Sequence, residues 1–313
     1  MEIIIQSLLL FISLVILAKS SDFTIDNAIK LSRIIKLKEV AIGFILLSIA
    51  TNLPEITIAV MSIISGEIGI TVGNVFGASI GDICIILGII ALLKPIKITS
   101  KTFKEFSTFL FYSSLIPILL LLINIGEASR IIGLFLVLLF AYFSYTSAKE
   151  RIYLRVRKPV KFNYKILSFF ILGVLGVIAS SKLIVDSTSR ISKLIGIEET
   201  WLGATAIAFT TIIPELSLCL NSIKKGRLNL TLGTLIGSSL SEITLIFGMV
   251  LILTTFSMDM NIFTTLVMFT ILSNILAWRF FETDRMIDKG EGIVLLLVYC
   301  FFLITTLGVS IIF

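Results

Sequence analysis

Long apolar runs separated by short polar loops make up almost the whole chain. A helix needs roughly 20 apolar residues to cross about 30 Å of hydrocarbon, and ten runs in this chain are long enough to be considered. They lie at about residues 2–19, 40–64, 69–93, 105–124, 129–148, 165–188, 200–223, 229–254, 259–280 and 292–313. The pattern predicts an all-α polytopic membrane protein with ten transmembrane helices in the lipid bilayer and no soluble regulatory domain.

Polar positions inside these runs recur at an offset of 160 residues. The segment Thr51–Glu55 returns as Thr211–Glu215, with a proline before the glutamate in both copies. The segment Gly73–Asp82 returns as Gly233–Glu242, again ending on an acid. Both recurrences come in the same order and on corresponding apolar runs, so the chain contains an internal duplication.

The duplication predicts two homologous five-helix repeats, residues 1–149 and 164–313, joined by a basic linker at 150–163. Five is an odd number of spans, so the second repeat must enter the membrane from the opposite face. Inverted repeats of this kind are the architecture of many secondary transporters, whose substrate site lies where the repeats meet near the bilayer midplane.

Each repeat has a proline near the middle of its second span, Pro54 and Pro214. Proline has no N–H, so the carbonyl four residues earlier, that of Ala50 or Thr210, loses its helical partner. Irregular backbone is tolerated at membrane depth only where it is buried in protein or lines a cavity. We therefore expect both spans to be interrupted at the proline and to line a cavity.

Small residues in the spans predict close packing. Gly73, Gly77 and Gly81 have the spacing of four that lets helices approach closely. The three cysteines, which show no paired spacing, are interpreted as small core residues rather than as disulfides or thiolate ligands: Cys84, Cys219 and Cys300.

Composition and charge support this picture and give an orientation. The chain is 57% hydrophobic with a mean hydropathy of +1.09, outside the range of soluble domains. Alternate loops hold 22 of the 26 basic residues, which places those loops and the linker in the cytoplasm and both termini outside. Membrane orientation accounts for the basic linker, so no nucleic-acid partner is predicted. The acidic start, Met1 and Glu2, argues for a permanent first helix in a prokaryotic cell membrane rather than a cleaved signal.

Four carboxylates lie deep in the spans, namely Glu55, Asp82, Glu215 and Glu242. A carboxylate at membrane depth costs at least about 2.5–3.5 kcal/mol on insertion scales and is functional by default. No Lys or Arg lies at similar depth, so the four must take up protons or bind cations. The chain has no histidine, so a bound cation must rely on oxygen, and carboxylate, hydroxyl and carbonyl oxygens suit Ca²⁺ better than Mg²⁺.

At these residues the chain resembles the calcium/cation antiporter superfamily, the sodium–calcium exchangers and their relatives. Repeats of that superfamily read roughly G-T-S-x-P-E and then G-N-x-x-G-S-x-x-x-N/D, and the resemblance covers both halves. It implies that Glu55 and Glu215 bind Ca²⁺ with the backbone at Thr51 and Thr211, and that the other two acids complete a diamond of cation sites. The full predicted metal site comprises Glu55, Glu215, Thr51, Thr211, Asp82, Glu242, Ser238, Ser48 and Ala208.

Departures from the superfamily pattern concern the coupling ion. The serine after the motif threonine is Asn52 in the first repeat and Ile212 in the second, and the serine of the glycine helix is Ala78 in the first. Asp82 stands where simple sodium–calcium exchangers usually have Asn, which adds a negative charge. We expect a secondary active transporter, without cofactors, that exchanges Ca²⁺ for Na⁺. The alternatives are an H⁺/Ca²⁺ exchanger, a K⁺-dependent exchanger, or an exchanger of another divalent ion such as Mg²⁺.

Two other classes compete with an exchanger. Gly81-Asp82 resembles the G-x-G-D motif of intramembrane aspartyl proteases, but that chemistry needs a second membrane aspartate, and Asp82 is the only aspartate deep in a span. We therefore expect no enzyme. A passive cation channel lined by acidic rings is a further alternative, although inverted repeats suit alternating access better.

Overall fold

The computed structural model describes residues 2–34, 51–97, 101–122, 128–149, 164–224, 228–255, 258–283 and 286–312. Ser48, Ala50, the first part of the predicted second span and the linker at 150–163 lie outside these residues. The described chain is helical apart from two short strands. Its elements are α1 (Glu2–Ile34), α2 (Leu53–Ser65), α3 (Ile68–Gly81), α4 (Gly88–Leu93), β1 (Ile96–Lys97), α5 (Lys101–Leu115), α6 (Ile118–Leu122), α7 (Ala128–Lys149), α8 (Tyr164–Ile195), α9 (Glu199–Leu202), α10 (Ala208–Lys224), α11 (Leu228–Leu240), α12 (Phe247–Leu253), α13 (Met260–Thr283), β2 (Met286–Ile287) and α14 (Lys289–Ile312).

Eight helical stretches in the described residues are long and apolar enough to cross a membrane. They are Glu2–Asn27, Ile68–Leu93, Ser129–Thr146, Tyr164–Ile195, Glu199–Lys224, Thr231–Leu253, Met260–Glu282 and Lys289–Thr306. Two shorter apolar helices, Leu53–Ser65 and Ser107–Leu121, accompany them. The all-helical class is thus confirmed, while the number of ten spans stays a prediction.

Two of these stretches form the centre of the molecule. In an apolar window of 18 residues, 89% of the residues of Ile68–Leu93 and 83% of those of Thr231–Leu253 are buried. The corresponding share for Glu2–Asn27, which exposes Ile4 and Phe11, is 22%. The buried pair carries Asp82 and Glu242, so the helices richest in small and polar residues lie inside and the uniformly apolar ones outside.

Three π-helical segments interrupt the α-helices of the described residues. Asp82–Leu87 joins α3 to α4, Gly203–Ile207 joins α9 to α10, and Ser241–Ile246 joins α11 to α12. Such one-turn irregularities are rare and are found mostly at functional sites. Two of them contain the acids Asp82 and Glu242.

The interruption expected at Pro214 is wrong in its position. Helix α10 continues through Pro214, and the irregular turn is the π-helical segment upstream. Pro214 removes the N–H that would bond the Thr210 carbonyl, while the hydroxyl of Thr210 donates to the Ala206 carbonyl at 2.9 Å. At Pro54 the expectation fits better, because α2 begins at Leu53 and has the proline in its first turn, where no N–H is required.

A break that the sequence analysis missed divides the predicted fourth span. Helix α5 ends at Leu115, a turn follows at Ile116 and Pro117, and α6 resumes at Ile118. The amide of Leu120 bonds the Pro117 carbonyl at 3.1 Å, which is the spacing of a tightened turn. Pro117 itself was the available signal, since a proline inside an apolar run removes a helical hydrogen bond.

Helices α1 and α8, which begin the two halves, pack against each other in antiparallel fashion. The rings of Phe23 and Phe169 lie 5.5 Å apart. Further along, a Cβ on Gly176 would lie 2.5 Å from the Ser20 hydroxyl oxygen. Residue numbers therefore fall on α1 as they rise on α8. These two helices form a hydrophobic cluster that is separate from the main core. A few side chains of α2, of α3 and of the π-helical segment Gly203–Ile207 also belong to it.

Glycines let the central helices touch backbone to backbone. A Cβ on Gly73 would overlap the Thr200 carbonyl oxygen, and one on Gly77 would overlap that of Ala204. The close packing predicted from the spacing of four is confirmed at these two positions. The cysteine interpretation is confirmed for Cys84 and Cys219, which are buried, and is wrong for Cys300, which is exposed.

A second set of glycine contacts is reciprocal between the halves. A Cβ on Gly88 would lie 3.1 Å from the Gly292 carbonyl oxygen, and one on Gly248 would lie 3.0 Å from that of Gly133. Gly88 and Gly248 match at the 160-residue offset. The third predicted span of each half, at α4 or α12, thus packs against the last helix of the other half, α14 or α7.

The loop after the third predicted span is joined to the loop after the ninth. Strand β1 pairs with β2 in antiparallel register, Ile96 opposite Ile287. Beside this pair, Lys104 Nζ lies 3.4 Å from Glu282 Oε2. Both loops therefore lie at the same end of the helices.

Candidate functional site

The four deep carboxylates are all buried. Glu55 on α2 is 2% exposed, Asp82 0%, Glu215 on α10 4% and Glu242 1%. Asp82 is repelled electrostatically by Glu215, Glu242 and Glu55, and Glu242 by Glu55 and Glu215, so the structure brings the four together. No Lys or Arg is among the buried residues of the described part. The cluster is therefore a concentration of acid without internal cations.

Glu215 is held by Ser238 of its own half, which in turn is bonded to Asn52 of the first half. The Ser238 hydroxyl lies 2.7 Å from Glu215 Oε2, a donor distance that suits a carboxylate. The same hydroxyl donates to Asn52 Oδ1, and Asn52 Nδ2 donates to the Ser238 carbonyl at 3.3 Å. A residue of the first half thus fixes the side chain that holds an acid of the second half.

Asp82 has a weaker contact of the same type. The Ser239 hydroxyl donates to Asp82 Oδ2 across 3.4 Å, again from the second half to the first. Asp82 Oδ1 has no hydrogen-bond partner, and neither does the nearby hydroxyl of Ser79, which precedes Asp82 by three residues.

Thr211 links Glu55 to α3. Its hydroxyl interacts with the Glu55 carboxyl, and it also lies 3.3 Å from Asn74 Oδ1 and 3.1 Å from the Ala208 carbonyl oxygen. Thr51, the matched threonine, is 2% exposed at the start of the described segment before α2 and takes part in interactions there. Ala208 is buried at the beginning of α10. Ser48 lies outside the described residues.

Each acid keeps one oxygen without a hydrogen-bond donor. These oxygens are Glu55 Oε2, Asp82 Oδ1, Glu215 Oε1 and Glu242 Oε2. Burying an unpaired polar group costs several kcal/mol unless something compensates it, and a buried charge costs more. Protons or cations supply that compensation, so the orphaned oxygens mark where a cation would be coordinated.

No three Asp, Glu or Cys side chains in the described residues form a group that would hold a metal ion by themselves. An ion in this arrangement would take some of its oxygens from neutral groups. Hydroxyls and amides are available at Ser238, Ser239, Asn52 and Thr211, and Ca²⁺ accepts such oxygens in flexible geometry. The donor set therefore fits a hard cation as a passing substrate.

Sequence reasoning did not include three of these side chains in the site. Asn52 was interpreted as a lost hydroxyl ligand, yet it bonds Ser238 twice. Asn74 and Ser239 belong to the recurring glycine segments but were assigned no role. Their matched positions, Thr234 and Ser79, are polar too, and a polar residue recurring at the same depth was the signal that would have found them.

Comparison with protein families gives one match that extends over both halves. The family described as sodium/calcium exchanger protein matches residues 5–149 and, separately, residues 165–308.

Among curated proteins, the sodium/calcium exchanger MaX1 of Methanosarcina acetivorans is 26% identical, over 96% of this chain and 98% of its own. The putative antiporter CaxA of Alkalimonas amylolytica is 28% identical, over 78% of this chain and 80% of its own. The inner membrane protein YrbG of Escherichia coli is 25% identical, over 92% of each chain.

Two solved structures resemble the fold. The sodium-calcium exchanger NCX_Mj superposes with a TM-score of 0.65 at 25% identity, covering 96% of this chain and 98% of that one. The H⁺/Ca²⁺ exchanger CAX superposes with a TM-score of 0.76 at 16% identity, covering 97% of this chain and 87% of that one. The second likeness concerns the fold alone.

Proposed function

The chain belongs to the sodium/calcium exchanger family, and from that premise we propose that it exchanges Ca²⁺ for Na⁺ across the membrane by alternating access. The observation that carries the proposal is the cluster of four buried carboxylates, two from each half, with no buried Lys or Arg among the described residues. Such a cluster is stable only with cations or protons bound, and a transporter must bind and release them in turn.

The ion ligands follow from the positions of the acids. Glu55 and Glu215, on α2 and α10, bind the divalent ion with backbone oxygens at Thr51 and Thr211, and Ala208 and Ser48 belong to the same shell. Asp82 and Glu242, at the π-helical segments, complete the set of cation sites, and Ser238 adds a hydroxyl oxygen beside Glu215. The interaction of Thr211 with Glu55 and the 2.7 Å contact of Ser238 with Glu215 support this arrangement.

The architecture that we propose is ten spans in two inverted five-helix repeats, residues 1–149 and 164–313. Supporting observations are the two separate family matches, the antiparallel packing of α1 and α8, and the reciprocal glycine contacts. The basic linker at 150–163 lies in the cytoplasm and both termini lie outside, by the distribution of Lys and Arg. The relatives' names support a prokaryotic cell membrane.

Replacing Glu55 or Glu215 with Gln tests the site. Each change removes one negative charge at nearly constant volume, so Ca²⁺ flux into reconstituted vesicles should fall below detection while the protein still inserts. The control is Glu198→Gln, an exposed acid outside the cluster, which should transport normally. Normal flux in a correctly inserted Glu55→Gln variant would show that the ion lies elsewhere.

H⁺/Ca²⁺ exchange is the second candidate, and Asp82 is the observation that favours it. A fourth acid beside three others adds a group that can exchange a proton, and one Asp82 oxygen has no donor. Vesicles carrying only a Na⁺ gradient, only a K⁺ gradient or only a pH gradient distinguish the candidates. We expect Ca²⁺ uptake with the Na⁺ gradient. Uptake driven by the pH gradient alone would make the proton candidate correct.

A further inference from the structure

Two matched pairs of positions beside the carboxylates are polar in one half and apolar in the other. Residue 52 matches residue 212, and residue 78 matches residue 238, at the 160-residue offset. One cross-half pair is polar, Asn52 with Ser238, and its counterpart is apolar, Ile212 with Ala78. All four side chains are buried. We call Asn52, Ser238 and Glu215 the polar corner, and Ile212 and Ala78 the apolar corner.

In the polar corner, the single hydroxyl proton of Ser238 has two possible acceptors. Ser238 Oγ lies within hydrogen-bonding distance of both Asn52 Oδ1 and Glu215 Oε2. A hydroxyl has a single O–H donor, so it bonds either the amide or the carboxylate. Asn52 also donates to the Ser238 carbonyl at 3.3 Å, which keeps its Oδ1 facing the hydroxyl.

These two arrangements differ in what they offer a cation. With the proton directed to Glu215, the carboxylate oxygen is already satisfied. With the proton directed to Asn52, Ser238 Oγ and Glu215 Oε2 present lone pairs to each other across 2.7 Å. That arrangement is repulsive unless a cation lies close to both oxygens. The amide therefore provides the alternative acceptor that releases two oxygens for coordination.

The charge of the corner indicates which ion it suits. It has one carboxylate and otherwise neutral oxygens, and Glu215 Oε1 has no hydrogen-bond partner. One monovalent cation matches the single carboxylate that the corner offers, whereas the divalent ion of the proposed function is shared by two carboxylates, those of Glu55 and Glu215. A buried net charge is costly unless it is paired.

We propose that Asn52 is a positioning residue for the monovalent coupling cation, acting through the Ser238 hydroxyl to expose Ser238 Oγ and Glu215 Oε2 to that ion. The proposal rests on the proposed function and deepens it. The apolar corner has no such acceptor: the Ile212 side chain would lie 2.8 Å from a Cβ on Gly81, so it fills the space there. The chain thus has one corner of this kind where its duplication would allow two.

Binding measurements on the detergent-purified full chain test the proposal without requiring transport. The half-saturating concentrations of Na⁺ and of Ca²⁺ are measured separately for the wild type, Asn52→Ala, Ser238→Ala and the double variant. Losing a hydrogen bond that serves a charged group costs roughly a factor of ten in affinity. We expect Asn52→Ala to weaken Na⁺ binding about tenfold and Ca²⁺ binding much less.

Two further results are expected if Asn52 acts through Ser238. Adding Asn52→Ala to Ser238→Ala should cause no further loss of Na⁺ affinity. Asn52→Ser retains a hydrogen-bond acceptor, so its loss of Na⁺ affinity should be smaller than that of Asn52→Ala. If Asn52→Ala does not fold, Asn52→Ser takes its place in the experiment. Ile212→Val in the apolar corner is the matched control and should leave the Na⁺ affinity unchanged.

Three outcomes would overturn the proposal. Equal weakening of Na⁺ and Ca²⁺ would make Asn52 a structural residue. Additive losses in the double variant would show that it does not act through Ser238. Absence of Na⁺ binding by the wild type would leave no monovalent ion for it to position. A failure of the proposed function itself would be seen in a different experiment: vesicles that contain the wild-type protein would transport no Ca²⁺ under any of the gradients.

Discussion

Asp82 is the residue whose surroundings bear most directly on coupling. One of its oxygens lies 3.4 Å from the Ser239 hydroxyl and the other has no partner. Three glutamates repel it electrostatically. A carboxylate in such a position either shares a cation with its neighbours or carries a proton, and both states respond to the pH of the solution.

Replacing Asp82 with Asn removes this group at constant size. If protons compete with Na⁺ at Asp82, the variant should transport Ca²⁺ with a flatter pH dependence than the wild type near neutral pH. Initial rates of Ca²⁺ uptake at a fixed Na⁺ gradient and varied pH measure this. Asp186→Asn, an exposed acid on α8, is the control. A pH profile identical to that of the wild type would remove Asp82 from the coupling mechanism.

Residues of the site were predictable to different degrees. The four acids were identifiable because charge inside an apolar run is costly and needs a functional explanation. The role of Asn52 was not, because it depends on which side chain of the other half faces it. Its replacement of a serine suggested a lost oxygen ligand, whereas the structure shows an amide bonded twice to Ser238.

At the scale of elements, the backbone contact between helices places the strictest limit on side-chain size. The segment that contains Gly77 meets the Ala204 backbone directly. Spacing of small residues predicted this closeness, but it could not identify the partner helix. The spacing of small residues also could not predict the π-helical turns, because one extra residue in a turn leaves no distinct pattern of hydrophobicity.

Gly77→Ala should therefore be strongly destabilising. The added methyl group would overlap the Ala204 carbonyl oxygen, and overpacking of this kind typically costs about 1–3 kcal/mol or more. Gly290→Ala is the matched control, since the atom nearest to its Cβ would be a side-chain oxygen of Asp288 at 3.2 Å rather than backbone. Denaturant unfolding in detergent compares the two. Equal stability of both variants would contradict the close contact.

A polar contact between elements also gives a pH dependence. Glu67, in the loop between α2 and α3, accepts hydrogen bonds from Ser189 at 2.5 Å and from Lys193 at 2.9 Å, both on α8. Partial burial raises the pKa of Glu67, but hydrogen bonds from Glu199, Ser189 and Lys193 outweigh it and lower the pKa to about 2.

A lowered carboxylate pKa stabilises the folded state above the ordinary value of 4.5, and the contribution is lost as the pH falls toward about 2. Glu67→Gln should accordingly lower the midpoint of thermal unfolding at neutral pH, and the difference from the wild type should shrink as the pH falls below 4.5. Glu2→Gln, at an exposed acid, is the control. A difference that persists unchanged in acid would contradict this account.

At the scale of the whole molecule, two groups of loops lie at opposite ends. Pairing of β1 with β2 brings together the loops after the third and ninth predicted spans. The Glu67 contacts bring the loop after the second predicted span to the end of α8. This agrees with the alternation of basic loops, which was predictable because orientation depends on Lys and Arg in short loops.

Cysteine labelling from outside intact cells tests the orientation. In a Cys300→Ser background, a membrane-impermeant thiol reagent should label Glu198→Cys and fail to label Arg155→Cys in the linker. The buried Cys84 and Cys219 should not react. Labelling of the linker with protection of position 198 would reverse the proposed topology.

The reciprocal glycine contacts have a consequence for how the chain is assembled. Gly88 meets Gly292 as Gly248 meets Gly133, so one kind of contact is made twice, as in the isologous interface of a homodimer. The peptide link between the halves raises the effective concentration of one half near the other. Two half-length polypeptides produced together would retain the same surfaces. If the repeats are inverted as we propose, an ancestor with a single half would have needed a second copy of itself, inserted in the opposite orientation, to bury its glycines.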